Sequence, residues 1–351
     1  MRLCAAWPLL LLLRLCAAKE SRITSTTMPS ASDKAERRGG ASGAEGSGGA
    51  SPGIDEAWSL GPTYGFGKKR KHTASNPGSS TVSDLRERAE QGDPNAQYFL
   101  GLLMWYGDGV ATNREGALAL FRKAAEQGHM HAQFNVGLVL AFSGPTGHGT
   151  AKEMATALAW VTNAASEGLA DAQWLLGLMY RDGIGTDDNK KDYDKALEAF
   201  QEAADQGSAR GHFYVGLMHE YGLGTQQDFK AAAKSYRWSA SQQDPRAIYY
   251  LALMHAYGRG MDQDFQQAMI LFKEAAEMGQ VGAQLMLGKF YLHGHGVAVN
   301  YDLAYHWFEI AASSEDPRAA EAVKARDELG TLLKSARDNV EETMMKYKLN
   351  L

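Results

Sequence analysis

The histidines His219 and His255 lie 36 residues apart, and each follows a Leu-Met pair. Imidazole is a common zinc ligand, so two such rings brought together by folding would form half of a tetrahedral site. No Asp or Glu at equivalent positions completes that set. We therefore interpret both as structural side chains that replace Tyr180 and Tyr291 of related segments, with a metal-binding pair as the alternative. Both are also candidates for contact with a protein partner.

Nucleophiles and phosphate-binding loops are the other chemistry to consider. Gly-x-Gly pairs such as Gly183-Ile184-Gly185 resemble phosphate loops, but each follows a predicted helix and lacks the Gly-Lys-Ser/Thr signature, which indicates helix caps. The two cysteines, Cys4 and Cys16, fall in a predicted signal, so the processed chain would carry no thiol. No Ser/His/Asp set or carboxylate pair stands out. We expect no catalysis, no cofactor and no metal; the alternative is a hydrolase-like site assembled across distant segments.

The first 80 residues precede any periodic pattern. Residues 1–18 combine a basic start at Arg2, an apolar run that includes Leu9 to Leu13 and a small-residue exit, which predicts a secretory signal; an organelle presequence is the alternative. Residues 19–80 are rich in Ser, Gly and Ala without hydrophobic periodicity, so we predict a disordered linker. The net charge of -5 argues against nucleic acid as the main partner. No later apolar stretch is long enough to span a membrane, which predicts a lumenal or secreted product.

A repeat organises the chain after residue 80. Small residues that open successive helical segments recur at intervals of 36, 40, 39, 36 and 36, and a second small residue follows each one five positions later. A third set of small residues lies in the second helix of each unit. Such a period indicates stacked helix-turn-helix repeats. The three sets are Ala96, Ala132, Ala172, Gly211, Ala247, Ala283; Gly101, Gly137, Gly177, Gly216, Ala252, Gly288; and Ala117, Ala157, Ala196, Ala232, Ala268, Ala304.

These repeats predict an all-α fold, a right-handed alpha-solenoid. A lone helix over residues 81–94, six repeats over 95–316 and polar capping helices with a tail over 317–351 complete the domain plan. Glycines are predicted to cap both types of helix. Length variation is assigned to the loops around 144–152 and 187–192, which should protrude side by side. We expect local irregularity where Gln243 replaces a capping glycine and where Leu140 replaces a tyrosine.

The segment from Ala172 to Gly185, followed by Lys195-Ala196 and Ala203-Ala204-Asp205-Gln206-Gly207, closely resembles the Sel-one-like repeat family, which is related to TPR repeats. The resemblance covers residues 95–315. It implies adaptor and scaffold roles, including endoplasmic reticulum quality control and signalling. A cysteine-rich branch of the family is linked to beta-lactam hydrolysis, but its paired cysteines are absent here.

Tryptophans offer the clearest indication of a binding surface. Trp160 and Trp307 share a column with leucines, which predicts core positions. Trp105 shares its column with Arg181 and Glu220, and Trp238 shares one with Lys123, Glu202 and Glu274, which predicts exposure. An exposed tryptophan is a typical interface anchor, with partial burial under a neighbouring segment as the alternative.

We therefore predict a non-catalytic adaptor or scaffold of the secretory pathway that binds a protein or peptide through Trp105, Trp238, His219 and His255. The alternatives are an enzyme, a signalling scaffold in another compartment, and a quality-control subunit docked on a membrane ligase. The sequence does not determine the oligomeric state.

Overall fold

A computed structural model describes residues 82–142 and 150–346, which contain fourteen α-helices and no strand. The all-α prediction is confirmed. The helices are α1 (Val82–Glu90), α2 (Pro94–Tyr106), α3 (Arg114–Glu126), α4 (Met130–Phe142), α5 (Ala151–Ser166), α6 (Ala170–Asp182), α7 (Tyr193–Asp205), α8 (Ala209–Tyr221), α9 (Phe229–Ser241), α10 (Pro245–Tyr257), α11 (Phe265–Glu277), α12 (Val281–His293), α13 (Tyr301–Ala312) and α14 (Ala319–Lys346). The predicted signal, residues 1–18, and the predicted linker, residues 19–80, lie outside the described residues.

The described helices fall into two compact units, residues 82–299 and residues 300–346. In the first unit each helix packs on the next one along the chain, from α1 to α12. In the second unit α13 packs on α14, and the buried Ala304, Phe308, Ala322 and Leu329 form their apolar surfaces. Packing between chain neighbours is the arrangement that the repeat period predicts.

In each of the first four repeats, the glycine of the first helix faces a large residue on the second helix of the same repeat. A Cβ atom on Gly177 would lie 2.5 Å from the Phe200 ring, and one on Gly216 would lie 2.6 Å from Tyr236. The absence of a side chain therefore lets the two helices approach closely, with the bulky residue filling the space. The four facing residues are all fully buried: Phe121, Val161, Phe200 and Tyr236.

The prediction that Trp160 and Trp307 are core residues is wrong in degree, because both side chains are half-buried. Each directly precedes a fully buried residue of its helix, Val161 or Phe308. A helix rotates by about 100° per residue, so the neighbouring position lies at the edge of the apolar face rather than at its centre. Among the tryptophans of the described residues, Trp174 is the one that is completely buried, and it lies on the first helix of its repeat.

Left-handed glycines end the helices as the sequence predicts. Gly183 and Gly222 are C-caps with φ of 74° and 66°, and their N–H groups donate to Met179 and Met218 carbonyls. In the last four of the described Gly-x-Gly pairs the second glycine packs against the backbone of the preceding second helix, as Gly185 does on Met154. These loops therefore end the first helices and pack against the preceding second helices. At the expected irregularity, Gln243 keeps the left-handed conformation with φ of 61°.

The prediction of two neighbouring protruding loops needs correction. Residues 107–113 join α2 to α3 and residues 143–150 join α4 to α5, so this connection grows by a single residue. The other inserted residues extend α5, which has 16 residues where α3 has 13, and a capping box of Thr150 and Glu153 begins it. The third repeat does have a longer loop, residues 183–192, with a short turn at Asp187–Asn189. Most of the predicted Gly144–Lys152 loop, residues 144–149, lies outside the described residues.

No helix in the described part of the chain combines the length and apolar composition that a membrane span requires.

Candidate protein-binding surface

Trp105 and Trp238 are both half-buried rather than openly exposed. The Trp105 ring lies 6.4 Å from the Phe121 ring, and the Arg114 guanidinium lies 5.5 Å from its centroid. The Trp238 ring lies 3.9 Å from the His212 ring. The alternative of partial burial therefore describes both indoles, since neighbouring side chains cover one face of each ring. Their role in binding a partner stays a prediction.

The charged column that suggested exposure for Trp105 is largely buried. The Arg181 side chain is 12% exposed and forms a bidentate pair with Asp182, while its guanidinium lies 5.3 Å from the Tyr214 ring. Glu220 is 3% exposed. The charged residue types predicted solvent exposure because the sequence does not show which ion-pair partners satisfy a buried charge.

His219 and His255 are half-buried on α8 and α10, and each lies close to the loop that follows its own helix. The His219 carbonyl accepts from the Asp228 N–H and the His255 carbonyl from the Asp264 N–H, both at 2.9 Å. Burial lowers the pKa of His255, and Arg237 acts in the same direction against Asp264. In residues 82–142 and 150–346 no three His, Cys, Asp or Glu side chains are grouped as metal ligands. The Nδ1 atoms of both rings are buried without a hydrogen-bond partner among the described residues, and contact with a partner protein stays a prediction.

Two exposed tyrosines at the ends of consecutive first helices form a surface that the sequence analysis missed, and a third exposed tyrosine ends α2. Tyr221 and Tyr257 end α8 and α10 in consecutive repeats and are 58% and 38% exposed. Tyr106 ends α2 and is 48% exposed, and the surrounding chain raises the pKa of its hydroxyl to about 12 by desolvation. The sequence does contain an indication of this surface, because the residue directly before the capping glycine is tyrosine in three repeats.

Arg259 lies within this surface and is held by a buried carboxylate. Its Nη1 donates to Glu220 Oε1 at 3.1 Å, and the Tyr236 hydroxyl donates to Glu220 Oε2 at 2.8 Å. The guanidinium lies 5.2 Å from the Tyr257 ring centroid. Burial and the Glu220 charge raise the pKa of Tyr221, and Arg259 opposes that effect. Tyr221, Tyr257 and Arg259, supported from below by Glu220, are called the repeat 4–5 patch from here on.

A cavity of about 550 Å³ opens beside the longer loop of the third repeat. Lysines and aspartates from that loop share its wall with Tyr180 and Tyr193. Lys195 Nζ lies 3.3 Å from Asp192 Oδ2 and 5.3 Å from the Tyr180 ring centroid. This mixture of charges shows no preference for one class of ligand.

A family model for the Sel1 repeat matches residues 94–129, 131–169, 170–208, 209–242, 245–280 and 281–316, more than half of the chain. The chain belongs to the Sel1-repeat family. The predicted resemblance is therefore confirmed, and with it a helix-pair repeat fold. Sel1-repeat proteins are generally protein-interaction scaffolds without catalytic activity, which is the general part of the predicted function.

Solved structures agree with this assignment. A Sel1 repeat protein from Oxalobacter formigenes is 32% identical with a TM-score of 0.58, over 69% of this chain and 68% of that one. A protective antigen from uropathogenic Escherichia coli with an SLR fold is 27% identical with a TM-score of 0.60, over 71% of this chain. The match covers 56% of that antigen's length. A search of curated proteins found no match.

Proposed function

We propose that this Sel1-repeat protein is a non-catalytic adaptor that holds another protein at the repeat 4–5 patch. The observation that carries the proposal is the exposure of two tyrosines on consecutive repeats, 58% for Tyr221 and 38% for Tyr257. Tyrosine is enriched at interfaces because its ring buries much apolar area while its hydroxyl still finds a polar partner. Arg259 between them adds a charged anchor of the kind that interfaces favour.

The second part of the proposal is the location, the secretory pathway, with a role in endoplasmic reticulum quality control. It is supported by the basic start, apolar run and small-residue exit of residues 1–18. The adaptor roles of the family support the quality-control part by analogy. Half-buried Trp105 and Trp238 extend the proposed contact area beyond the patch.

Proximity labelling of the chain with its N-terminus intact, followed by mass spectrometry, tests both parts. We expect lumenal folding factors and degradation components among the labelled proteins. Replacing both tyrosines, Tyr221→Ala with Tyr257→Ala, removes two ring contacts and should lower labelling of the main partner by about tenfold or more. A mitochondrial, plastid or cytosolic set of neighbours would contradict the location.

The matched control is Ile270→Ala, because Ile270 is 59% exposed on α11 and lies outside the patch. This variant loses a similar apolar surface and should leave the labelled set unchanged. Equal labelling by the wild type and the double tyrosine variant would refute the patch as the contact surface. Circular dichroism of each variant checks that the helices are retained.

A further inference from the structure

Glu220 and Arg259 both depart from the residue types of their repeat columns. The positions equivalent to Glu220 hold Trp105, Ala141, Arg181, Ala256 and Leu292. The positions equivalent to Arg259, at the centre of Gly-x-Gly, hold Asp108, Ile184, Leu223 and His295. These two exceptional residues, 39 apart in the chain, pair with each other across one repeat junction.

The pair is asymmetric in its exposure to solvent. The Glu220 side chain is 4% exposed and the Arg259 side chain is 46% exposed. Taking a carboxylate out of water is costly, and an apolar pair of similar volume is often at least as stable. Stability alone therefore gives a poor reason for this arrangement. The ion pair does hold the exposed guanidinium of Arg259 in one orientation.

The guanidinium keeps unused hydrogen-bonding capacity. It has five N–H donors, and within the described residues its one hydrogen bond goes from Nη1 to Glu220. The Tyr257 ring beneath it, at 5.2 Å, and the Phe229 ring, at 5.9 Å, further restrict its position. A guanidinium oriented in advance loses less entropy when it binds a planar anion.

We propose that the repeat 4–5 patch recognises an acidic segment of the partner protein, in which an Asp or Glu side chain binds Arg259 and adjacent apolar side chains pack on Tyr221 and Tyr257. The inference rests on the proposed adaptor function and names the chemistry of its partner. A carboxylate fits better than a phosphate because phosphate sites usually gather several arginines, and here a single one is already partly neutralised.

Site-specific photo-crosslinking tests the inference. The full chain carries benzoyl-phenylalanine in place of Tyr257, and crosslinked partner peptides are sequenced after irradiation in cells. We expect crosslinked segments with an Asp or Glu beside apolar residues, and a loss of crosslinking of about tenfold or more in Arg259→Gln. Circular dichroism and a urea titration of Arg259→Gln check that the repeats stay folded although the buried Glu220 loses its ion-pair partner.

The control variant is Arg122→Gln, which removes an exposed arginine of α3 and should leave the crosslink unchanged. Crosslinks to segments without acidic residues, or a yield that Arg259→Gln does not alter, would overturn the inference. Parallel crosslinkers at Trp105 and Trp238 separate the two proposals. A partner captured only from the tryptophans would remove the acidic-segment inference and leave an adaptor, whereas no partner from any of the three positions would contradict the adaptor function itself.

Discussion

At the residue scale, His129 caps a helix through its side chain, and this cap depends on the protonation state of the imidazole. It precedes α4, and its Nδ1 accepts a hydrogen bond from the Ala132 N–H at 3.2 Å. Its ring stacks on Tyr98 with centroids 4.5 Å apart. Burial lowers the pKa of His129, His131 acts in the same direction, and Asp93 opposes them. Because a protonated imidazole cannot accept at Nδ1, the cap requires the neutral ring.

This lowered pKa predicts a loss of stability in mild acid. The contribution of His129 is complete above about pH 6.5, the usual histidine pKa, and is lost as pH falls toward the lower value of the folded state, because the unfolded chain binds the proton more readily. Asparagine caps helices without titrating. We expect His129→Asn to show a smaller fall in the urea midpoint than the wild type between about pH 7.5 and about pH 5.5. Gln280→Asn, at the equivalent cap of α12, is the control; an unchanged fall in His129→Asn would exclude this role.

At the scale of single helices, α9 ends without the glycine that follows the second helices α3, α5, α7 and α11. Gln243 holds φ of 61° where Gly207 holds 80° after α7. A side chain in this conformation costs about 1–2 kcal/mol, which glycine avoids at some cost in chain entropy. Gln243→Gly should therefore raise the free energy of unfolding by about 1 kcal/mol in urea titrations. The reverse change, Gly207→Gln, should lower it by a similar amount, and a destabilised Gln243→Gly protein would show that the side chain stabilises the loop.

For the molecule as a whole, packing between chain neighbours determines how many helices a destabilising substitution affects. In residues 82–299 each helix packs mainly on the helices next to it in the chain, so stability is close to a sum of local terms. Gly177→Ala places a Cβ 2.5 Å from the Phe200 ring and should destabilise by about 1–3 kcal/mol, although alanine is the better helix former. Hydrogen exchange should show lost protection concentrated in α6 and α7, with α12 little affected.

The matched control for this substitution is Gly330→Ala on α14. A Cβ there would lie 3.4 Å from the Tyr305 ring, an ordinary contact, so the better helix propensity of alanine should dominate and stabilise by about 0.5–1 kcal/mol. Uniform loss of protection across all helices of Gly177→Ala would contradict the local-packing model.

The repeat fold could be predicted from the amino-acid sequence alone, because small residues at fixed spacing and glycines at helix ends act through local geometry. The columns of Gly101 and Ala117 and the caps at Gly183 and Gly222 were all readable in this way. Helical periodicity and cap chemistry involve residues a few positions apart, so no distant contact is needed to recognise them.

Only the tertiary structure decided which charged and aromatic residues face solvent. The residue types of its repeat column predict that Glu220 is exposed. It is buried instead, because Tyr236 and Arg259 satisfy its carboxylate. Tyr221 was not singled out, yet it is the more exposed tyrosine of the patch. Burial of a charge depends on partners from a neighbouring repeat, and those partners are brought close by stacking rather than by any local pattern.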